Sequence, residues 1–227
     1  MVVQIPGEIK EIMNSDRYEK LIGVKGGKAV VLFSGGIDST VAMFLAKRCG
    51  LDVLALEFSY AGRPKAERKA IDSICDIAKV NLYRVKYPEV RGMTDNTFKR
   101  VTKISLAESN ALYYSIAGGF SKNVGAEFII GGQILNDWEN NADSRAMPDH
   151  YQTLNKLLNE EYRVNSPKII MPFIYLSKNE VVKIGYNLGV PFDLTWSCSE
   201  KGTYPCKNCV QCKERENSLN NLDKQLK

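Results

Sequence analysis

The sequence predicts a doubly wound α/β fold, in which helices cover both faces of a parallel β-sheet. Short apolar, β-prone runs at 29–33, 52–58 and 127–130 have the pattern expected of strands buried on both faces. Segments with helical spacing alternate with these runs, and that alternation favours a parallel sheet. With 227 residues, of which 44% are hydrophobic, the chain is long enough to bury a sizeable core without disulfides.

The individual elements follow from hydrophobic spacing and from helix start and stop signals. Ser177 and Glu180 have the Ser-x-x-Glu spacing of a capping box, which begins a helix that stops at Gly189. A polar helix from about residue 209 is expected to end the chain. Before these, we expect an amphipathic helix at 8–22, a strand at 29–33, a helix at 38–48, a strand at 52–58, a helix at 64–79, a strand at 82–85, a helix at 102–122, a strand at 127–130, a helix at 150–160 and an extended segment at 168–172.

The chain contains no linker that would separate independent domains. We expect a helical N-terminal extension of residues 1–28, an α/β domain of residues 29–190, and a metal-binding region with a terminal helix at 191–227. The N-terminus lacks the basic and apolar segments of a secretory signal, and no run reaches the roughly 18 apolar residues of a membrane span. These features predict a cytoplasmic protein without a membrane partner. The net charge of +5 permits phosphate-bearing ligands but does not demand nucleic acid.

A glycine-rich loop lies between the first predicted strand and the helix that follows it. Its glycines let the backbone approach a ligand, while the helix start directs unpaired N–H groups and a positive dipole end at the same place. The loop has no Walker A lysine and no Gly-x-Gly-x-x-Gly fingerprint. Asp38 is expected to cap the helix or to help hold Mg²⁺. The predicted phosphate-binding residues are Phe33, Ser34, Gly35, Gly36, Ile37, Asp38, Ser39 and Thr40.

Four of the six cysteines crowd into residues 198–212. Their short Cys-x2-Cys steps let thiolates converge on one metal ion, and four sulfurs satisfy tetrahedral zinc. A structural zinc ion is the first interpretation, an iron–sulfur cluster is the second, and free or redox-active thiols are the third. Cys49 and Cys75 lie alone in apolar segments and are expected to be buried and inert. The predicted metal ligands are Cys198, Cys206, Cys209 and Cys212.

Two motifs near opposite ends of the chain carry a resemblance to a known family. Residues 34–39, Ser-Gly-Gly-Ile-Asp-Ser, are similar to the pyrophosphate loop of the N-type ATP pyrophosphatases. Together with Thr-Trp-Ser-Cys at 195–198 and Pro-Cys-x2-Cys-x2-Cys at 205–212, this loop resembles the 7-cyano-7-deazaguanine synthase family, whose four cysteines bind zinc. The resemblance covers about residues 29–215. Trp196 within the second motif is expected to stack on a base or to pack into the core.

The resemblance implies a Rossmann-like sheet that binds ATP with Mg²⁺ and adenylates the carboxylate of a 7-deazapurine. Ammonia would then give the amide, and a second activation would give the nitrile. It also implies that Asp38 and Ser39 act in catalysis, that each chain holds one structural zinc ion, and that the protein is a homo-oligomer; nucleic acid is not expected as the direct substrate. Around the acceptor the resemblance implies four residues, each with a solvated surface charge as the alternative: Arg63, Asp137, Asp143 and Arg145.

Two departures from the family pattern lie where its members shape the site around the base. Residues 61–64 read Ala-Gly-Arg-Pro where the family usually shows Gly-Gln-Arg-His, and Ser109-Asn110 replaces an Arg-Asn pair. They leave open a second hypothesis, an N-type ATP pyrophosphatase that thiolates tRNA or amidates a different carboxylate. The third and weakest hypothesis is a zinc-ribbon module that binds nucleic acid through Lys99, Arg100 and Lys103.

Overall fold

A computed structural model describes residues 26–59, 63–86, 89–90, 104–105, 109–139, 146–200 and 202–225. The helix predicted at 8–22 lies outside these ranges. No helix within them is long and apolar enough to cross a membrane. The strands are β1 (Lys28–Leu32), β2 (Asp52–Ser59), β3 (Asn81–Lys86), β4 (Glu89–Val90), β5 (Ile104–Ser105), β6 (Phe128–Ile130) and β7 (Lys168–Ile170). The helices are α1 (Ile37–Arg48), α2 (Lys65–Ala78), α3 (Asn110–Val124), α4 (Asn136–Glu139), α5 (Pro148–Tyr162), α6 (Lys178–Asn187) and α7 (Val210–Gln225), with a 3₁₀ helix at Phe192–Leu194.

Five strands form one parallel sheet in the order β3-β2-β1-β6-β7. The central strand β1 pairs with β2 on one side and with β6 on the other. The chain therefore runs outward from β1 to β3 and then returns to the opposite side of β1 at β6. The predicted parallel sheet is confirmed, and its strands begin and end within two residues of the predicted bounds.

The central strand is buried on both faces, as its continuous apolar run predicts. Alternate residues point to opposite sides of the sheet, so Ala29 and Val31 belong to one core cluster and Val30 belongs to the other. The first cluster joins the sheet to α1, α2 and α6 and to Leu222 of α7, whereas the second joins it to α3 and α5. Helices thus cover both faces, which confirms the doubly wound arrangement.

The helix predicted at 102–122 begins later than expected, at Asn110. Ser109 is its N-cap, and the Ser109 hydroxyl accepts the Leu112 N–H at 3.3 Å, which satisfies a donor that the helix itself leaves unpaired. Upstream, Ile104–Ser105 pairs antiparallel with Glu89–Val90 and does not continue the helix. The predicted start was wrong because the capping residue, and not the apolar spacing before it, decides where this helix begins.

The sheet ends at β7, where a side chain occupies the outer edge. Asn155 of α5 donates from Nδ2 to Ile169 O at 3.0 Å, and its Oδ1 accepts the Ile169 N–H at 2.7 Å. Residues on either side of Ile169 form the hydrogen bonds to β6, so the main-chain groups of Ile169 face away from the sheet. Asn155 satisfies both of them, as a neighbouring strand would.

Candidate active site and metal centre

The loops after β1 and β6 face each other at the point where the strand order reverses. Residues 33–36 follow β1 and residues 131–133 follow β6, and both loops leave the carboxyl ends of their strands. In open α/β sheets this switch point forms the crevice in which ligands bind. The loop after β6 approaches the first turn of α1 closely, because a Cβ on Gly132 would lie 2.7 Å from Ser39 N. The predicted phosphate loop is therefore placed where the fold offers a binding site.

The backbone of the glycine-rich loop leaves N–H groups available at the start of α1. Gly35 has a φ of +75°, in the left-handed region that favours glycine, and Gly36 is an N-cap residue without a side-chain cap. The hydroxyls of Ser34 and Ser39 lie 3.0 Å apart, and Ser39 Oγ also accepts the Ser34 N–H at 3.3 Å. Uncapped N–H groups, hydroxyls and the helix dipole together form a site for an anion such as phosphate.

A lysine from a distant part of the chain pairs with the acidic residue of the loop. Lys178 Nζ lies 2.8 Å and 2.6 Å from the two carboxylate oxygens of Asp38. The predicted capping box of Ser177 and Glu180 is confirmed, and it fixes the helix start from which Lys178 extends. Asp38 does not cap α1, so that alternative was wrong. The ion pair places a positive and a negative group beside the phosphate loop.

Two cavities open on either side of this loop. The first, of about 280 Å³, has aromatic walls that include Phe58 of β2 and Tyr113 of α3. The second, of about 340 Å³, has Lys178 and Trp196 on its walls. A nucleotide whose phosphates lie on the loop therefore has space for its base on one side and for a second reactant on the other. The residues that line both cavities are Ser34, Gly36, Asp38 and Asp137.

Asp137, in α4, lies at the junction of the two cavities and titrates close to neutrality. Its carboxylate accepts the Ile134 N–H at 2.9 Å. Desolvation by the surrounding protein atoms, reinforced by the nearby Asp38, raises the pKa of Asp137 to about 6, although the Ile134 hydrogen bond and Lys178 act in the opposite direction. The residue retains exposed surface. The carboxyl group is therefore open to a ligand and changes its charge near pH 6.

Arg63 lines the first cavity and is held by acidic residues. Its Nη1 lies 3.2 Å from Glu57 Oε1 and 3.6 Å from Glu67 Oε1. Its Nη2 donates to Phe58 O at 3.1 Å. Glu57, in β2, is fully buried and also accepts from Arg84 Nε at 2.5 Å. Because a buried carboxylate is costly unless it is paired, Glu57 and its two arginines hold one another in place.

A buried hydrogen bond orients a further polar group on the wall of the first cavity. Tyr114, which is 1% exposed, donates from Oη to Gln133 Oε1 at 2.8 Å. Burial holds the pKa of Tyr114 well above its ordinary value, so the hydroxyl stays protonated and can donate. No described residue accepts a hydrogen bond from Gln133 Nε2. The tyrosine thus determines which end of the amide is left for a ligand.

The four predicted metal ligands converge on one point. The Sγ atoms of the clustered cysteines all lie within 4.8 Å of one another. Zn–S bonds of about 2.3 Å place the sulfurs of a tetrahedron about 3.8 Å apart, so the cluster fits a single four-coordinate ion. Cys206 N donates to Cys198 Sγ at 3.4 Å and Cys209 N donates to Cys206 Sγ at 3.3 Å, so backbone N–H groups point at two of the sulfurs. Since metals bind thiolates, this cluster can hold a metal ion.

Residues 195–198 join the metal centre to the phosphate loop. The Trp196 N–H donates to Gly35 O at 2.9 Å, and the indole Nε1–H of Trp196 donates to Cys198 O at 2.8 Å. Arg215 of α7 donates to Thr195 Oγ1. Trp196 is half-buried on the wall of the second cavity and is not part of the core.

Most of the predicted phosphate-binding residues reach the cavities, but two do not. Thr40 is fully buried and donates to Gly36 O at 2.6 Å, and neither Thr40 nor Gly35 is among the described wall residues. Those that line at least one cavity are Phe33, Ser34, Gly36, Ile37, Asp38 and Ser39. The residues predicted around the acceptor or on the basic surface that lie outside the described ranges are Asp143, Arg145, Lys99, Arg100 and Lys103.

Sequence reasoning did not identify Glu57, Lys178 or Gln133 as residues of this site. A signal existed for Glu57, because a charged residue inside an apolar strand needs a partner. Lys178 was placed at a helix start, but nothing local indicated that it reaches Asp38. Gln133 had no signal, since Tyr114, which orients it, comes from a different element.

A parallel sheet with a lysine-free Ser-Gly-Gly loop at its switch point is the arrangement that the resemblance to the N-type ATP pyrophosphatases implies. NMN synthetase from Francisella tularensis is similar, with a TM-score of 0.54 and 15% identity, over 97% of this chain and 94% of that chain. The U34-tRNA thiolase NcsA from Methanococcus maripaludis has a TM-score of 0.56 and 15% identity, over 96% of this chain and 72% of its own. At these identities the likeness shows the fold alone.

The chain belongs to the queuosine biosynthesis protein QueC family, whose model matches residues 28–223. A similar relative is the 7-cyano-7-deazaguanine synthase of Campylobacter concisus, which is 33% identical over 213 residues. These residues cover 85% of this chain and 93% of the relative. The family match spans both the phosphate loop and the clustered cysteines. The resemblance drawn from those two motifs is therefore confirmed.

Proposed function

We propose that the protein is an ATP-dependent synthase that converts 7-carboxy-7-deazaguanine and ammonia to 7-cyano-7-deazaguanine. The carboxylate attacks the α-phosphorus of ATP, pyrophosphate leaves, and an acyl adenylate forms. Ammonia adds to the acyl carbon and displaces AMP, which gives the amide and releases a proton. The amide oxygen then attacks the α-phosphorus of a second ATP and pyrophosphate leaves; loss of AMP and of both protons from the amide nitrogen gives the nitrile.

The observation that carries this proposal is the position of the phosphate loop between two cavities in a chain of this family. Joining ATP to a second planar heterocycle requires that both reactants reach one phosphate group from different sides. Asp38 and Asp137 line both cavities, so they lie where the two reactants would meet. Holding reactants in this geometry supplies much of the rate of such a reaction, because it removes the entropic cost of their encounter.

The residues of the loop have distinct proposed roles. Ser34, Ser39 and the N–H groups at the start of α1 hold the departing pyrophosphate. Lys178 stabilises negative charge that develops on the phosphate oxygens. The Asp38 carboxylate holds the ammonium group of Lys178 on the cavity wall. Asp137 is placed to take up the proton that ammonia releases, because its pKa of about 6 keeps it ionised at neutral pH. Bound Mg²⁺ would neutralise phosphate charge, with Asp38 as its protein ligand.

The metal that we propose for the four-cysteine cluster is a structural zinc ion. Four thiolates complete a tetrahedral shell and leave no position for a substrate, so the ion would contribute to folding, on the order of 10 kcal/mol, and not to the chemistry. Elemental analysis separates this proposal from an iron–sulfur cluster, which would also absorb visible light. A homo-oligomeric, cytoplasmic protein is a further proposal, which rests on the family resemblance.

The test is mass spectrometry of one incubation that contains the protein, ATP, Mg²⁺, ammonium and 7-carboxy-7-deazaguanine. The expected result is the nitrile together with AMP. AMP that forms only with ammonium and a carboxylate other than 7-carboxy-7-deazaguanine would retain the ATP chemistry and identify a different acceptor. If neither product nor substrate-dependent AMP forms with any carboxylate, the proposed reaction is wrong.

A matched pair of variants links the reaction to the phosphate loop. Asp38→Ala should abolish AMP formation without changing the circular dichroism spectrum, because Lys178 would lose the carboxylate that holds it. Asp52→Ala is the control, since Asp52 is an exposed carboxylate that pairs with Lys28 at 3.9 Å and lines neither cavity. Equal activity of the two variants would remove Asp38 from the mechanism.

A further inference from the structure

The peptide unit between Gly35 and Gly36 is held from outside the phosphate loop. The Trp196 N–H donates to Gly35 O at 2.9 Å. Gly35 O and the Gly36 N–H belong to one planar, trans peptide unit, so a hydrogen bond that fixes the carbonyl also fixes the direction of the N–H. Gly36 lines both cavities, and its N–H donates to Ser34 Oγ at 3.4 Å, so the same peptide unit orients a hydroxyl that also lines both cavities. Trp196 therefore sets the direction of a hydrogen bond to the Ser34 hydroxyl, which is a proposed phosphate donor.

The position of Trp196 depends in turn on the cysteine cluster. Its indole Nε1–H donates to the carbonyl oxygen of Cys198, at 2.8 Å. Cys198 is 4% exposed, its Sγ accepts the Cys206 N–H, and it belongs to the four-cysteine cluster. Two hydrogen bonds from a single residue therefore connect the metal centre with the phosphate loop.

The Arg215 side chain of α7 also holds the segment that carries Trp196. Arg215 lies three positions after Cys212 and donates to Phe192 O at 2.6 Å and to Thr195 Oγ1. A metal ion that draws Cys212 and Cys198 together would thus fix both ends of the segment that carries Trp196. Without the ion, the four cysteines share no ligand. Residues 195–198 would then be held by Arg215 but no longer by a metal-bound Cys198.

We infer that Trp196 is a positioning residue that couples occupancy of the cysteine cluster to nucleotide binding at the phosphate loop. This inference rests on the proposed function for the nucleotide, and it goes beyond a metal that only supports folding. Coupling between two sites is reciprocal, so a bound nucleotide must raise the affinity for the metal by the factor by which the metal raises the affinity for the nucleotide. Couplings of this kind typically amount to about 5–150-fold.

The experiment measures the equilibrium affinity for Zn²⁺ by competition with a chromophoric chelator, with and without Mg-ATP at a concentration that calorimetry shows to be saturating. ATP should raise the affinity of the parent protein for Zn²⁺ about fivefold or more. Trp196→Phe removes the indole donor and should reduce this factor toward one. Trp138→Phe is the matched control, because it removes an indole that donates to Ile174 O at 2.8 Å but lines neither cavity. It should retain the full factor.

A second readout, tryptophan fluorescence, reports directly on Trp196. The chain has two tryptophans, so in Trp138→Phe the fluorescence reports on Trp196 alone. Removal of the metal should shift its emission, and addition of ATP to the metal-loaded protein should shift it as well.

The outcomes separate this inference from the proposed function. If ATP does not bind the metal-loaded protein at all, the proposed function is wrong and the coupling falls with it. If ATP binds but leaves the Zn²⁺ affinity unchanged, the coupling alone is overturned. Full retention of the ATP effect in Trp196→Phe would also overturn it, because the effect would then arise from stabilisation of the whole fold and not through this residue.

Discussion

Replacing Glu57 by alanine would leave two arginines without the carboxylate that they share beside the first cavity. The Arg63 side chain is only 6% exposed, so water cannot take the place of Glu57, although Glu67 at 3.6 Å and Phe58 O at 3.1 Å stay in contact with the guanidinium. Breaking a buried ion pair by removing one partner costs about 3–5 kcal/mol. Arg84 is 41% exposed and keeps Asp72 as a partner, so the loss of its contact with Glu57 lowers the free energy of unfolding by at most about 1 kcal/mol.

The expected loss for Glu57→Ala is therefore about 3 kcal/mol of the free energy of unfolding, the lower end of this range, because Glu67 still compensates part of the Arg63 charge. This is a large part of the roughly 5–15 kcal/mol by which folded proteins are stable. The measurement is urea unfolding, followed by far-UV circular dichroism at one protein concentration. In a thermal scan the melting temperature should fall by roughly 6–12 °C.

Two further variants test the cause of this loss. Arg84→Ala leaves Glu57 paired with Arg63 and should cost about 1 kcal/mol. The double variant Glu57→Ala/Arg63→Ala removes both members of the buried pair, so it should be more stable than the sum of the two single losses predicts. A Glu57→Ala protein whose stability lies within 1 kcal/mol of the parent would refute the argument from buried charge.

Three other changes have specific expected outcomes. Lys178→Met should lower kcat/KM for ATP about 100-fold in an assay of AMP release, with an unchanged circular dichroism spectrum, because a positive charge beside the phosphates is lost. The reaction rate should fall as the pH drops through about 6, since protonated Asp137 accepts no further proton. The Asp137→Asn variant should react more slowly, and its rate should not show this fall near pH 6. Cys206→Ser should lose the metal and become poorly soluble, as elemental analysis of the soluble fraction would measure, and a soluble, active, metal-free variant would contradict a structural role for the metal.

The parts of the fold that the sequence predicted are those with local causes. Continuous apolar runs located the strands, and the capping box located the start of α6. The phosphate loop and the cysteine cluster were predictable because their residues are close together in the chain. Cys49 and Cys75 were also predicted to be buried; they are 7% and 3% exposed, and burial raises their pKa values to about 11 and about 12.

The rest of the site depends on contacts between distant segments. Lys178 and Asp38 are 140 residues apart, and Glu57 and Arg84 are register partners on the neighbouring strands β2 and β3, with α2 between them in the chain. Such pairs can be predicted only when the strand order and register are known. A helix start or an apolar strand does not by itself show which residue lies opposite. The late start of α3 has a different, local cause, since the Ser109 hydroxyl caps the helix although the apolar spacing begins earlier in the chain.

The side-chain amide of Asn155 has a consequence for how copies of the protein can meet. An exposed strand edge is a template onto which another chain can add a strand, and sheets that grow in this way aggregate. At Ile169 the strand edge is not available for pairing, since the outward N–H and C=O groups of Ile169 are already hydrogen-bonded to the Asn155 amide. An incoming strand would first have to displace Asn155 from them. Contacts between copies are thereby directed to other surfaces, and the parallel sheet is protected from polymerising through its β7 edge.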